Sequence, residues 1–186
     1  MLFRSIAHHL KKSHKHVPLY LRISRTPSIL KSSLAVTKSL SDQDWAKLFV
    51  IEFEGELGID QGGLRREWFT LLSKELFAVE SKLFVQVDEG GSAVMPNPNL
   101  PCDAKTKQMF RFAGKLVGKA LYESANGASY CHFIPVRLAK SFLAQLVGLR
   151  VNFRHFAHDA PILYTSKILL IEGNNIDDPK IGRAHV

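Results

Sequence analysis

The chain has 186 residues, 46% of them hydrophobic, which is enough to bury the core of one globular domain. Its longest apolar runs fall well short of the roughly 18 residues that a membrane-spanning helix requires, so we expect no membrane association. Cys102 and Cys131 lie far apart, without the spacing of a disulfide framework or a zinc ligand set. The composition therefore predicts a cytoplasmic protein that uses neither a metal nor a cofactor.

The net charge of +8 is concentrated at the N-terminus, because the basic residues up to Ser41 are accompanied by no acidic residue. This distribution predicts a basic flexible lead-in over residues 1–16 in front of a nearly neutral domain. His14 and His16 could hold a metal, but the neighbouring lysines favour a solvated segment instead. An alternative function is that of a non-catalytic basic module that binds an acidic protein or nucleic acid through residues 1–38.

Hydrophobic periodicity and capping residues predict a series of short strands and longer helices. Strands are predicted at 17–24, 49–53, 83–87 and 94–95. Helices are predicted from Thr26-Pro27, from Ser41, over 63–77, over 103–124, from Pro135 to Gly148 and from Asp159 to Gly173. The prolines of the connector 96–101 withhold backbone donors, which excludes a helix or a central strand there. Residues 174–186 show no periodicity and are predicted to form an unstructured tail.

The stretch 53–77 joins an apolar strand to an amphipathic helix through an acidic loop that contains several glycines. Phosphates often bind at such a turn, but the glycine spacing matches neither the dinucleotide fingerprint nor the P-loop. Glu54, Glu56 and Asp60 would also repel a phosphate, which disfavours nucleotide binding. Asp60 is predicted instead to cap the helix or to stabilise its first turn.

The sequence contains no recognisable autonomous catalytic site. Cys131 and His132 are adjacent, but neighbours in an extended strand point to opposite faces and do not form a catalytic pair. The nucleophile-elbow and metalloprotease motifs are also missing from the sequence. Cys102 and Cys131 are therefore predicted to be core residues.

Basic residues recur at every fourth position along the helix predicted over 103–124. We predict that this basic row forms a solvated helix face opposite the apolar stripe, since the neighbouring phenylalanines project away from it and offer no stacking platform. Nucleic-acid binding is accordingly disfavoured. The members of the basic row are Lys107, Arg111, Lys115 and Lys119.

Residues 58–69, GIDQGGLRREWF, resemble the N-lobe signature of HECT-type ubiquitin-protein ligases. Two further blocks follow in the family's order, at Pro96–Asn99 and at 112–123, FAGKLVGKALYE. The basic lead-in and the block SFLAQLVGL at 141–149 are most similar to the apoptosis-resistant ligase branch of the family. Several blocks in order are more specific than one motif, and the resemblance extends from about His8 to about Ile171.

The resemblance implies an α+β, mostly helical fold: the large subdomain of a HECT N-lobe with short two-stranded elements, as a partial HECT domain over residues 17–173. It gives structural roles to the signature residues, with a turn at the glycines, a polar tie between loop and neighbours, and a tryptophan in the core. Some family members bind a second ubiquitin on this lobe, which implies a candidate ubiquitin-contacting segment. The signature residues are Asp60, Gly62, Gly63, Arg66, Glu67 and Trp68. The candidate ubiquitin-contacting segment comprises Leu83, Phe84, Val85 and Val87.

The family transfers ubiquitin through a cysteine thioester to a substrate lysine, with ubiquitin and a ubiquitin-conjugating enzyme as partners. Neither the cysteine-bearing C-lobe nor the subdomain that recruits the conjugating enzyme can be matched in this chain. Cys102 and Cys131 fall within N-lobe blocks, so the resemblance assigns no catalytic residue. We therefore expect a HECT domain truncated before its catalytic lobe and inactive on its own.

Overall fold

A computed structural model describes residues 17–56, 62–88, 92–126, 134 and 136–173. The chain divides into two compact units, one made of residues 1–83 and 99–135 and the other of 84–98 and 136–186. The predicted lead-in at 1–16, the predicted tail at 174–186 and the residues Asp60, Cys131, His132 and Pro135 lie outside the described residues. Among the residues described, no helix is long and apolar enough to cross a membrane.

The first unit is built on two parallel strands, β1 (Leu19–Ile23) and β2 (Phe49–Phe53), paired from Leu19 with Phe49 to Ile23 with Phe53. Alternate side chains of each strand are buried, as the period of two along a strand requires. Leu21, Ile51 and Phe53 are among them. The strand predicted at 49–53 is confirmed, and the strand predicted at 17–24 is confirmed with shorter limits.

Two helices connect these strands, α1 (Ile29–Thr37) and α2 (Asp42–Trp45). The predicted start of α1 at Thr26-Pro27 is wrong, because the Ser28 hydroxyl accepts the Lys31 N–H and makes Ser28 the N-cap. At α2 the spacing of Ser41 and Asp44 predicts a capping box, which the structure confirms. Ser41 accepts the Asp44 N–H, and the Asp44 carboxylate accepts the Ser41 N–H.

Helix α3 (Gly63–Leu76) follows β2 and buries Trp68, Phe69, Leu72 and Leu76 on one side. The capping role predicted for Asp60 is wrong, because Gly62 occupies the N-cap position and the first turn contains no acidic residue. A backbone that enters the helix through a left-handed glycine leaves no place for a side-chain cap at that position.

The longest helix, α4 (Ala104–Ala125), confirms the prediction over 103–124, with Asp103 as N-cap through the Thr106 N–H. Its buried side chains include Phe112, Ala113, Leu116 and Ala120. Helical spacing predicts Leu121 on the same apolar stripe, but its side chain is 61% exposed. The stripe therefore moves around the helix toward its C-terminal end.

The second unit contains a three-stranded sheet in the order β3-β4-β5, formed by β3 (Phe84–Gln86), β4 (Ala93–Pro96) and β5 (Arg137–Leu138). Strand β4 is antiparallel to β3 and parallel to β5. Pro96 ends this central strand, contrary to the prediction that the proline connector excludes one. Proline is tolerated there because β5 pairs only with Ala93 and Val94, so Pro96 needs no donor toward β5.

The helices of the second unit are α5 (Lys140–Leu146), α6 (Phe156–Asp159), α7 (Pro161–Leu163) and α8 (Leu169–Gly173), with a π-helix at Tyr164–Ile168. The single helix predicted from Pro135 to Gly148 is wrong, since Arg137 and Leu138 form β5. The helical spacing of the apolar residues in this stretch predicts inward positions for Leu146 and Val147, which is also wrong, because these side chains are 64% and 70% exposed.

Asp159 was predicted to start the last helix, but its carboxylate caps α5 instead. It accepts the backbone N–H groups of Lys140 and Ser141 at 2.7 and 2.8 Å. Burial raises the pKa of Asp159, and these hydrogen bonds lower it further than burial raises it, so that the pKa lies below its usual value. The first turn of α5 is thus capped by a residue that is distant in sequence.

Candidate functional site

The candidate site is the signature helix α3 with the groups that hold its N-terminal end. Gly62 lies at φ +100° and ψ −13°, a left-handed conformation, whereas Gly63 is already part of the helix. Only Gly62 of this pair therefore needs the conformational freedom of glycine. The turn predicted at the two glycines depends on the first of them.

Trp68 anchors α3 in the core of the first unit. Its side chain is fully buried, and its Nε1 donates a hydrogen bond to Ser33 Oγ on α1 at 2.9 Å. Its ring centroid lies 6.1 Å from that of Phe49 on β2 and 4.9 Å from that of Phe69. The tryptophan thus joins α3, α1 and β2, and its polar edge has a partner as burial requires.

A buried ionic cluster holds α3 to α4 on another side of the helix. Arg65 donates from Nη1 to the Phe49 carbonyl oxygen at 3.2 Å, and its Nε lies 3.7 Å from Glu123 Oε2. Glu123 also forms an ion pair with Lys119, whose Nζ lies 3.0 Å from Glu123 Oε1. We call Arg65, Lys119 and Glu123 the buried ionic cluster.

Lys119 is the most deeply placed member of this cluster. Its Nζ also donates to the Lys47 carbonyl oxygen and lies 4.2 Å from the centre of the Phe49 ring. Burial lowers the pKa of Lys119 from its ordinary value, and the Glu123 carboxylate opposes that effect only in part. The ammonium group is held by an ion pair, a carbonyl and an aromatic face at once.

This placement corrects the prediction of a solvated basic row. Lys107 and Arg111 are exposed, but Lys115 is half-buried and Lys119 is buried. Residues four apart on a helix of 3.6 residues per turn advance by roughly 40° each time, so a row that starts in solvent drifts toward the core. The row therefore offers too few exposed cations for the nucleic-acid surface already disfavoured above.

Exposed ion pairs of Arg25 join the turn after β2 to helix α3. Arg25 pairs with Glu56 on one side and with Glu67 Oε1 at 2.9 Å on the other, and its guanidinium lies 3.7 Å from the centre of the Phe53 ring. Hydrogen bonding to Glu56 raises the pKa of Arg25, and hydrogen bonding to Arg25 lowers that of Glu56. The tie predicted for Glu67 thus has a partner in Arg25.

Arg66 was expected to tie the loop to a neighbouring element, but its side chain lies at the surface. Its backbone N–H donates to the Gly62 carbonyl oxygen, and its own carbonyl oxygen accepts from Thr70 Oγ1. The arginine that reaches a neighbouring element is Arg65. Sequence reasoning missed Arg65, Lys119 and Glu123, although their blocks were recognised, because only the fold shows which charged side chains turn inward.

The candidate ubiquitin-contacting segment is only partly accessible. Leu83 is 4% exposed and Phe84 is 8% exposed, whereas Val85 and Val87 are half-buried. A partner that docks on this segment would therefore meet the two valines.

The described residues contain no evident catalytic centre. Cys102 is a free thiol at the surface, which corrects its predicted place in the core. No group of three or more metal-ligating side chains is found among the residues described. A groove of about 450 Å³ is lined by residues that include Ser28 and Glu75, and the Ser28 hydroxyl donates a hydrogen bond to the Glu75 carboxylate.

A family model described as HECT-domain (ubiquitin-transferase) matches residues 70–181, which is more than half of the chain. The chain therefore belongs to the HECT-domain family, and the predicted family and the mostly helical α+β fold are confirmed.

The chain is 41% identical over 174 residues to the Apoptosis-resistant E3 ubiquitin protein ligase 1 of Mus musculus and equally to that of Homo sapiens. These alignments cover 93% of this chain and 21% of each relative. It is 31% identical over 176 residues to the E3 ubiquitin-protein ligase UPL2 of Arabidopsis thaliana, covering 95% of this chain and 4% of the relative. The chain thus spans about a fifth of the length of the first two relatives.

Proposed function

We propose that this chain is part of a HECT-type ubiquitin-protein ligase, which receives ubiquitin from a conjugating enzyme as a cysteine thioester and passes it to a substrate lysine. The observation that carries the proposal is the buried ionic cluster. It joins α3 and α4, two elements that contain blocks resembling the family, through side chains that are almost fully removed from water. Such a fixed arrangement suits a rigid lobe on which mobile catalytic parts act.

Within that enzyme, the chain supplies the scaffold and not the nucleophile. A reactive cysteine needs a neighbourhood that favours its thiolate, such as a nearby cation or a helix N-terminus in a cleft. Cys102 directly precedes the N-cap of α4, but its thiol is exposed at the surface and is not enclosed in a cleft. We therefore propose that the chain alone forms no thioester.

The test is incubation with activating enzyme, conjugating enzyme, ATP and ubiquitin, followed by electrophoresis with and without thiol. The 186-residue chain should give no thiol-sensitive adduct, and the longest polypeptide expressed from the same gene should give one. Cys102→Ser and Cys131→Ser variants of the chain are the matched controls. A thiol-sensitive adduct on the chain that either variant abolishes would contradict the scaffold role.

We also propose that Val85 and Val87 contact a second ubiquitin non-covalently. Half-buried valines beside an edge strand offer a small apolar surface with backbone groups next to it. Titration of ¹⁵N-labelled ubiquitin with the chain should shift ubiquitin resonances. Val85→Asp should reduce the shifts, whereas Val79→Asp, at an exposed position of the first unit, should leave them intact. Shifts that are equal with both variants would refute the contact.

We further propose a cytoplasmic location, which is supported by the free surface thiol of Cys102 and by cysteines without disulfide spacing. Imaging of the tagged protein with a cytosolic marker tests this location. A signal confined to secretory compartments would exclude it.

A further inference from the structure

Ser28 ties the start of α1 to α3. Its hydroxyl donates a hydrogen bond to the Glu75 carboxylate, and the same carboxylate accepts the Leu30 N–H at 3.2 Å. The Ser28 oxygen also accepts the Lys31 N–H at 3.2 Å, as the N-cap of α1. A carboxylate of α3 therefore serves as the anion at the N-terminus of α1, where the helix dipole favours negative charge. The contact between Ser28 and Glu75 depends on the hydroxyl proton of Ser28.

The Ser28 hydroxyl faces a groove at the surface of the first unit. The side chain is half-buried and lines the groove of about 450 Å³, whose other lining residues belong to the same unit. Residues 24–28 form neither a helix nor a strand, and the backbone of Ser28 is extended. Arg25 precedes Ser28 by three residues. Arginine-directed serine kinases recognise a guanidinium at this position of an extended substrate, through carboxylates of their own.

We propose that Ser28 is a phosphorylation site for an arginine-directed protein kinase, and that the phosphate releases Glu75 from the start of α1. In this reaction Ser28 Oγ attacks the γ-phosphorus of ATP, the bond from that phosphorus to the bridging oxygen breaks, ADP leaves, and the hydroxyl proton passes to the base of the kinase. Because Ile29 and Leu30 are buried, the first turn of α1 opens for the reaction and closes after it. The modification is not a step of ubiquitin transfer and does not rest on the proposed function.

The phosphate changes which anion occupies the N-terminus of α1. It carries a charge of about −1.5 to −2 at neutral pH, and it replaces the proton that Glu75 accepts. Two anionic groups at hydrogen-bonding distance repel each other, so the Glu75 carboxylate moves away. The phosphate then interacts with the helix N-terminus and with the cations of Arg25 and Lys74, which line the same groove. Helix α1 thus remains capped but loses its polar contact with α3.

The first experiment asks whether Ser28 is modified. The 186-residue chain and the longest polypeptide expressed from the same gene are each incubated with ATP, Mg²⁺ and calmodulin-dependent protein kinase II. Mass spectrometry of peptides should locate a phosphate on Ser28 in both proteins, and Ser28→Ala should abolish it. Absence of phosphate at this position in either protein would overturn the proposal, the longer one showing whether the rest of the protein covers Ser28.

Two arginine variants test how the kinase recognises the site. Arg25→Ala should lower the initial rate of phosphorylation at Ser28 at least about tenfold, because the kinase loses a charge-assisted contact. Arg22→Ala removes an exposed arginine of β1 and should leave the rate unchanged. Equal rates for the two variants would contradict recognition through Arg25.

The second experiment asks whether the phosphate displaces Glu75. Urea denaturation followed by tryptophan fluorescence gives the folding equilibrium constant of the parent and of Glu75→Gln, each with and without phosphate on Ser28. Without phosphate, Glu75→Gln should lower this constant about tenfold, because an amide accepts the hydrogen bonds less well than a carboxylate. With phosphate, the same substitution should raise the constant about tenfold, since it removes a repelling charge.

A matched control is Glu80→Gln, which removes an exposed acid of the first unit. It should leave the folding equilibrium constant unchanged in both forms. An effect of Glu75→Gln that has the same sign with and without phosphate would overturn the displacement of Glu75.

Discussion

The Nζ atom of Lys119 lies 3.0 Å from Glu123 Oε1, and this ion pair is the most deeply buried one among the described residues. The two residues are one turn apart on α4, where such a pair would ordinarily stand in water and contribute little. Here the Lys47 carbonyl and the Phe49 ring complete the surroundings of the ammonium group. The pair therefore acts as part of the core that joins α4 to β2 and α3.

Replacing Lys119 by methionine should destabilise the first unit by about 3–5 kcal/mol, because it leaves the buried Glu123 carboxylate without its nearest cation. The expected loss lies at the lower end of this range, because Arg65 remains as a second cation near the Glu123 carboxylate. Urea denaturation followed by tryptophan fluorescence measures the effect, since Trp45 and Trp68 both lie in that unit.

Two further variants control this experiment. Lys107→Met, at an exposed position of the same helix, should change the free energy of unfolding by less than about 0.5 kcal/mol. Lys119→Met combined with Glu123→Leu should recover only part of the loss, because the two charges of this pair are removed together but Arg65 then lacks its carboxylate partner. A similar loss for Lys119→Met and Lys107→Met would show that the ion pair makes no special contribution.

Ser33→Ala should destabilise the first unit by about 1–3 kcal/mol, because the Trp68 indole N–H is then buried without its acceptor. The loss of stability caused by Ser33→Ala should depend on the presence of the Trp68 indole. Ser33→Ala made in a Trp68→Phe background should have a much smaller effect, since no donor remains to be satisfied. The same denaturation assay on all four proteins gives the coupling energy, and strict additivity would exclude the hydrogen bond as the cause.

The parts of the fold that local chemistry determines could be predicted from the sequence. The Ser41 and Asp44 capping box and the Asp103 cap of α4 involve residues within three positions of each other, so their spacing is visible in the chain. The family could also be recognised, because its blocks are contiguous. The role of Asp159 could not be predicted, because its carboxylate caps a helix that is remote in sequence. The periodicity of the chain contains no sign of such a contact.

Whether an apolar or charged helix face is buried or exposed is harder to predict from the sequence. Periodicity correctly grouped Leu146 and Val147 on one side of a helix, but it cannot say whether another element covers that side. Lys119 shows the reverse case, in which a charged residue turns inward because the fold provides an anion and a carbonyl. In the candidate site, Trp68 could be predicted from hydrophobicity, whereas the ion pair of Arg65 with Glu123 joins two helices that are distant in sequence and could not be predicted.

Asp159→Asn should weaken α5 by about 1–2 kcal/mol at neutral pH, because the amide caps the Lys140 and Ser141 N–H groups less well than the carboxylate. Amide hydrogen exchange of peptides from α5 measures this loss. Glu172→Gln, which removes an exposed acid of the same unit, should leave the exchange of α5 unchanged.

The contribution of Asp159 should also depend on pH in one direction. Its pKa in the folded protein lies below its value in the unfolded chain, so the stabilisation is complete above about pH 5 and is lost as acid protonates the carboxylate below about pH 4. The difference between the parent and the Asp159→Asn protein should therefore be constant from pH 6 to pH 8 and should shrink at lower pH. A difference that grows as the pH falls would mean that the carboxylate does not act as the cap.

Gly62→Ala and Gly63→Ala should have opposite consequences, although the two glycines are neighbours in the signature. Gly62 has a left-handed backbone at φ +100°, where a β-carbon costs roughly 1–2 kcal/mol. Gly63 lies in the first turn of α3, and a β-carbon added there would meet no atom within 4 Å. Alanine at Gly63 should therefore be neutral or stabilising by up to about 1 kcal/mol, since alanine favours a helix over glycine. Urea denaturation of the two variants side by side tests this, and equal losses at both positions would contradict the assignment of the turn to Gly62 alone.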